Sequence, residues 1–461
     1  MLGTNYGTIC NTDCIIVEED SVLNIIPKES EDIKKLRSLF DDQRFFLRYH
    51  GAVGHNAIAY VEQVEFQMGH AVKAFPKYIV NRFHTELFAG FELTGEVIDD
   101  FFSPVGYFFE RPKRGEKNNT DVLYNKEVAD RWDVCFEEQP ITITLSYGDI
   151  LSNGIASDLK LHPKLTIEFE PTMDTQFVHR VYCFVVRFLC LVRYNIKCGK
   201  LRVHLFNRNE GRLSYNGYMR DFSMVQDVVW PGNDQVEYSC YKPYIHRFLQ
   251  FAADNPQYTF YHYPSEGLRF RGNHYSAIDY MNIFAAFESE CHARSDLYEN
   301  ADSSKVQAIK DALVERVEAY PKGGLTREET DFLNNARNRI MQLGTQYGQS
   351  RKIINAYDVL HKALDSSIEN IFYLPESRLK EHLAAKELRE IAKFLTDQRG
   401  AVAHGGFSGA FSDVDAQKIR FLEILTYAQL LKRVGLDDTD VERVIGVVFG
   451  CNYVLFQEKY S

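Results

Sequence analysis

The chain reads as an α+β protein, with a mostly β domain carrying one packed helix over residues 1–265 and an all-helical bundle over 275–461. Three observations predict this. In the first half, apolar residues alternate with polar ones, the period of a strand with one buried face. From about Tyr275 they recur at steps of three and four, the period of an amphipathic helix. Between the two, residues 263–276 (YPSEGLRFRGNHYS) interrupt both patterns with Gly, Pro and charge.

Strands come first in chain order. RFFLRYHG and AIAYVEQVEFQ have strand composition. Residues 110–121, ERPKRGEKNNTD, are charged and turn-rich and predict an exposed loop. Alternation is regular at Ile141, Ile143 and Leu145, at Leu165, Ile167 and Phe169, and at Leu201, Val203 and Leu205. Between the last two strands, Phe177, Val181, Phe184, Val185 and Phe188 have helical spacing and predict one packed helix. In the helical half, Thr326 with Glu329, Ser412 with Asp415, and Thr439 with Glu442 each have the spacing of a capping box. Leu388, Ile391, Ala392 and Leu395 form one apolar stripe. Phe421, Ile424, Leu425, Ala428 and Leu431 form another, which Gly435 stops. Six or seven helices are expected.

Bulk properties narrow the function. With 45% hydrophobic and 25% charged residues in 461, packed cores are expected throughout. A net charge of −11 argues against a surface broadly attractive to nucleic acid, so phosphate contacts must be local. Nine scattered cysteines read as reduced cytoplasmic thiols. Cys10 and Cys14 have the spacing of half a zinc site, but no second pair follows, so neither metal nor cofactor is expected. The opening residues lack a basic stretch followed by an apolar run, and no signal peptide is predicted. The most apolar run, residues 181–192, is short of the roughly 20 residues a membrane span needs, and Arg187 interrupts it. A cytoplasmic protein without a membrane partner is expected.

The candidate site is Arg399 and His404 in LREIAKFLTDQRGAVAHGG. Four residues separate them, a spacing that also arises by chance: Arg269 and His274 in RFRGNH repeat it, in a glycine-containing stretch ahead of the helices. Context favours the first pair, which follows an amphipathic helix and is closed by Gly405 and Gly406. A guanidinium stays charged and offers a planar fork for phosphate oxygens, while an imidazole moves protons near neutral pH. The alternative is a helix end, at which His and Arg interact with the last carbonyls and the dipole.

The arrangement resembles the HEPN superfamily, whose hallmark is Arg-x4-6-His in a helical bundle. QKIRFLEILTYAQLLKRVGLDDTDVERVIG and the early helix YMNIFAAFESECHAR resemble the helical domain of ApeA-type HEPN proteins in particular. The preceding β-rich half, with its helix before KLRVHLF, is similar to the domain that accompanies it. The resemblance implies a metal-independent endoribonuclease of bacterial antiphage defence, of the abortive-infection type. It implies an RNA substrate, a homodimer that brings two motifs to one cleft, and a β-rich domain that senses a phage-derived or cellular trigger. It makes Arg399 and His404 catalytic and points to an acidic residue of the first helix, for which Glu288 is chosen over Glu290. Arg337, Arg339, Arg351 and Lys352 are candidates for an RNA-facing rim, with a solvated helix face as the alternative. Gly400 follows the motif Arg, a position that is commonly Asn, His or Asp in the superfamily. That departure favours a second reading, a non-catalytic HEPN module for dimerisation or ligand binding.

Overall fold

The computed structural model describes residues 3–9, 12–19, 21–39, 45–50, 56–67, 71–83, 87–103, 129–149, 161–194, 200–209, 212–222, 238–258, 275–294, 303–321, 323–342, 348–372, 385–406 and 411–449. The expected loop over residues 110–121 lies outside them, as do Cys10, Arg269 and His274. The chain folds as two compact units, Met1–Tyr261 and His262–Ser461.

The first unit is built on twelve strands: β1 Gly3–Ile9, β2 Thr12–Glu19, β3 Val22–Pro27, β4 Phe45–His50, β5 Asn56–Gln67, β6 Ala71–Arg82, β7 Phe88–Thr94, β8 Asp130–Phe136, β9 Gln139–Asp149, β10 Leu161–Thr172, β11 Arg202–Asn209 and β12 Arg212–Asp221. Their order is β3-β2-β1-β4-β5-β6-β12-β11-β7-β10-β9-β8, with a further pairing of β3 to β6. That pairing closes the first six strands into an antiparallel barrel, which removes their open edges. Strand β6 serves two structures. Its first half pairs with β3 through Val72 and Ala74, and its second half pairs with β12 from Tyr78 to Arg82.

Inward-facing residues fill the barrel, among them Ile16, Ile25, Leu47, Ala59 and Val72. Ile33 and Leu36 of helix α1 (Ile33–Leu39) join this core. Helix α2 (Glu96–Phe101) follows β7. Helix α3 (Thr175–Arg193) covers the open sheet, and Asp174 caps it by accepting from the Gln176 amide at 2.8 Å. Phe184 stacks on Phe136 of β8 at 4.9 Å, and Phe177 meets Phe169 of β10 edge-on at 5.5 Å. By length and composition α3 could cross a bilayer, yet 78% of that window is buried inside the protein. Two short helices, α4 (Tyr238–Tyr241) and α5 (Ile245–Asp254), complete the unit, and α5 packs on α3 and β8.

Seven helices are described in the second unit: α6 Ala277–Ala293, α7 Ser303–Glu318, α8 Arg327–Gln342, α9 Gln349–Phe372, α10 Ala385–Ala403, α11 Asp413–Val434 and α12 Asp438–Val448. Helix α11 is the hub and packs against α6, α9, α10 and α12. Every residue from Phe421 to Leu431 is buried, so the expected stripe is one side of a helix covered all round. Its polar positions are accommodated individually: Glu423 accepts from the Tyr275 hydroxyl at 2.7 Å, and Thr426 donates to the Leu422 carbonyl. Helices α7 and α8 pack on each other, with Ile309, Leu313 and Phe332 exposed.

The caps at Thr326 and Ser412 form as expected. Ser276 with Asp279 makes a further capping box that the pattern reading missed. The third expectation is corrected. Asp437, not Thr439, caps α12 by accepting from the Asp440 amide at 2.8 Å, and Thr439 lies within the first turn. Two residues compete for the same free amides here, and Asp is the stronger acceptor.

Candidate functional site

Helix α10 carries the motif. Its buried stripe of Leu388, Ile391, Ala392 and Leu395 turns Arg399 toward α6, because side chains four residues apart share a helix face. The Arg399 Nη2 lies 3.2 and 3.3 Å from the two carboxylate oxygens of Glu288. The guanidinium also sits over the ring of Phe284, 5.6 Å from its centre. Its Nε is buried and has no hydrogen-bond partner among the described residues. The pair is partly open to solvent, with side-chain exposures of 38% and 28%.

A third helix meets them. Gln349, at the start of α9, donates through Nε2 to Glu288 Oε1. The next residue, Ser350, is 2.8 Å from the Thr396 hydroxyl, one turn before Arg399. Tyr280 on α6 donates to the Leu395 carbonyl of α10. Burial, then the nearby Glu288 charge, hold that phenol well above the usual tyrosine range, while Arg399 works against them. Glu288 and Phe284 of α6 thus hold the Arg399 side chain directly, and Gln349 of α9 holds Glu288 in turn.

His404 sits differently. The helix ends at Ala403, and the next residues close a Schellman turn: the Gly405 amide donates to Val402 at 3.2 Å and the Gly406 amide to Ala401 at 2.8 Å. Gly405 has φ +71°, the left-handed region that glycine enters without strain. His404 is the residue before this turn. Its imidazole is exposed and makes no hydrogen bond or ion pair among the described residues, with Arg399 or otherwise. Five residues along a helix turn through about 500°, so Arg399 and His404 leave it about 140° apart. At Gly400, an added Cβ would meet nothing within 4 Å.

The other predicted residues divide. Arg351 and Lys352 follow Gln349 and Ser350 directly, in the first turn of α9. Arg337 is paired with Glu318 of α7 at 2.7 Å, and Arg339 is exposed on α8; neither is linked to α10. The two acids of α6 have separate roles. Glu288 reaches Arg399, whereas Glu290 is fully buried and lies 3.2 Å from Arg433 of α11.

The first unit holds two groupings that local patterns did not disclose. Cys183, His179 and Asp221 have the composition of a thiol triad, with His179 Nε2 2.7 Å from Asp221. Burial pushes the Cys183 thiol up to about 12, followed by the Asp221 charge, so it stays protonated and inert. Tyr78 stacks on His179 at 4.2 Å, as befits a packed core cluster. The second grouping is a cleft of about 840 Å³ between the barrel and the start of α3, with Arg48 and Arg82 in its lining. Among the described residues no group of His, Cys, Asp and Glu is arranged to hold a metal ion. Comparison with protein-family models, curated proteins and solved structures finds no match to this chain.

Proposed function

We propose that the helical unit is a metal-independent endoribonuclease acting through Arg399 and His404. The observation that carries this reading is that one helix end presents both a guanidinium held in place by Glu288 and, five residues on, an exposed imidazole with no hydrogen-bond partner among the described residues. RNA brings its own nucleophile. The 2′-oxygen attacks the adjacent phosphorus, its proton passes to an imidazole, and the P–O5′ bond breaks as the leaving 5′-oxygen takes up a proton. His404 serves as the proton-transfer group, and Arg399 binds the phosphate oxygens as charge builds on them. Glu288 is a positioning residue that holds the guanidinium and yields it to phosphate. One imidazole does not readily supply both acid and base, so a homodimer with two motifs at one cleft is part of the proposal.

By the same resemblance, the reading extends to cytoplasmic antiphage defence of the abortive-infection type, with the β-rich unit as sensor of a phage-derived or cellular trigger. The second reading is a non-catalytic helical module for dimerisation or ligand binding. The Arg399–Glu288 pair and the glycine at 400 favour it, since both reduce what the motif offers to substrate.

One experiment separates the two. Purified protein is incubated with single-stranded RNA in EDTA, and the new ends are mapped. The nuclease reading expects 5′-hydroxyl ends with 2′,3′-cyclic phosphate or 3′-phosphate, and no cleavage of DNA. His404→Ala lowers the rate about 10²- to 10⁴-fold, and Arg399→Ala lowers it about 10²- to 10³-fold. Cleavage that yields 5′-phosphates, or that persists in both variants, sinks the assignment.

A further inference from the structure

We propose that the cleft between the barrel and the start of α3 is a nucleotide-binding site, with Arg48 and Arg82 taking the phosphates and the rings of Tyr6 and Phe46 taking the base. This site lies in the first unit and does not depend on the ribonuclease reading.

Strand register puts these groups on one surface. On β4, Leu47 and Tyr49 point into the barrel core, while Phe46, Arg48 and His50 are on the outer face. Tyr6 of β1 pairs with His50, His50 with Asn56 of β5, and Asn56 with Arg82 of β6. Tyr6 and Arg82 therefore end one row across four strands, about 14 Å from end to end at the usual strand spacing. Arg48 and Phe46 occupy the next two rows on the same face, each about 7 Å further along.

The charges call for an anion. Arg82 is only 8% exposed, and its Nε is buried with no hydrogen-bond partner among the described residues. Its remaining contacts are the Met173 carbonyl, at 3.0 Å from Nη2, and the ring of Phe88. No carboxylate pairs with Arg82 or Arg48 among the described residues. The acids on the cleft are engaged elsewhere, Asp13 with Lys28 at 3.1 Å and Asp174 with the Gln176 amide. Burial pulls the Arg82 pKa down, and the like charge of Arg48 adds to this. A phosphate between the two guanidiniums relieves both effects and accepts from planar forks suited to it.

The rings give the ligand its second feature. Tyr6 and Phe46 are 60% and 45% exposed, large apolar surfaces left open on the wall of a cavity. A base stacked on either ring covers that surface, and aromatic stacking accepts any base. The volume of about 840 Å³ falls in the range of pockets that enclose small ligands rather than strands.

The test is calorimetric titration of the full chain with ATP, GTP and AMP, with adenosine and inorganic pyrophosphate as fragments. A nucleotide should bind more tightly than either fragment. Arg48→Gln should weaken it about 10-fold, and Tyr6→Ala and Phe46→Ala about 5- to 10-fold each. All three positions are exposed, so the variants should keep the wild-type unfolding midpoint, and Tyr6→Ala carries the aromatic test if Phe46→Ala does not. The proposal is overturned if no nucleotide binds at millimolar concentration. It is also overturned if the variants bind like wild type, if pyrophosphate binds as tightly as ATP, or if short single-stranded RNA displaces ATP at lower concentration.

Discussion

Replacing Glu288 by Gln separates a residue that restrains Arg399 from one that moves protons. The substitution keeps an oxygen for Gln349 but removes the charge that lies 3.2 Å from the Arg399 guanidinium. Two unit charges at that distance attract by about 1 kcal/mol in bulk water and about 5 kcal/mol at an effective dielectric of about 20. With more than a third of the Arg399 side chain exposed, the lower figure applies, and the loss of stability should stay below about 1 kcal/mol. The same charge opposes any phosphate that approaches Arg399. Its removal should tighten RNA binding by about 1 kcal/mol, or about fivefold. Single-turnover cleavage of a fluorescent RNA in EDTA should therefore show KM falling about fivefold while kcat holds within about threefold. The tightening should shrink as salt is added, since the effect is electrostatic. If kcat instead drops by about a hundredfold or more, the scale of lost acid–base catalysis, Glu288 is a proton carrier and its positioning role is refuted.

Three further outcomes follow from the fold. Gly400→Ala should stabilise the helical unit by about 0.5–1 kcal/mol, because the position is helical and open; Gly405→Ala should destabilise it by about 1–2 kcal/mol, because its φ is positive. Urea unfolding followed by far-ultraviolet circular dichroism measures both. The β-rich unit should lose stability as pH rises above about 9. Burial raises the Cys14 and Cys183 thiols from 9.0 to about 11 and about 12, so the unfolded chain ionises first; the contribution is complete below the unfolded value and falls as pH climbs toward the folded one. Both tryptophans, Trp132 and Trp230, lie in that unit, so their fluorescence reads it, and the Cys14→Ala, Cys183→Ala double variant should flatten the slope. Light scattering should show a homodimer, and a wild-type protein that is monomeric while it cleaves RNA would remove the reason for a dimer.

The parts of the fold that were legible in the sequence are those with one buried face. Ile141, Ile143 and Leu145 alternate because one side of β9 meets the core and the other does not. Barrel closure leaves no such trace. The second half of β6 is buried on both sides from Tyr78 to Arg82, so alternation disappears there. Its partners β3 and β12 lie far away along the chain in opposite directions. Helix α11 posed the same difficulty, since Glu423 and Gln429 look like solvent-facing positions until Tyr275 and the neighbouring helices are in place. The cleft was equally hidden. Tyr6, Phe46, Arg48 and Arg82 become neighbours only through the pairing of β1, β4, β5 and β6.

At the motif, residue identity and helical placement were legible, but convergence was not. Spacing fixes Arg399 and His404 about 7.5 Å apart along the axis and about 140° apart around it, so one regular helix does not aim them at a common point. Either the substrate wraps the helix end and meets both, or each phosphate takes its Arg from one copy and its His from another. Mixing inactive variants decides between these. When Arg399→Ala and His404→Ala subunits exchange at random, about half the dimers are mixed. In a mixed dimer whose two motifs face one cleft, one Arg399 and one His404 remain there, on different copies. Activity should then recover in part on mixing, below wild type because the second imidazole is missing, and disappear again as either variant is added in large excess. If each chain uses its own pair, every site in the mixture lacks one group and no activity returns. A mixture that stays dead, after exchange has been verified by differently tagged subunits, would end the shared-site proposal while leaving the single-chain one standing.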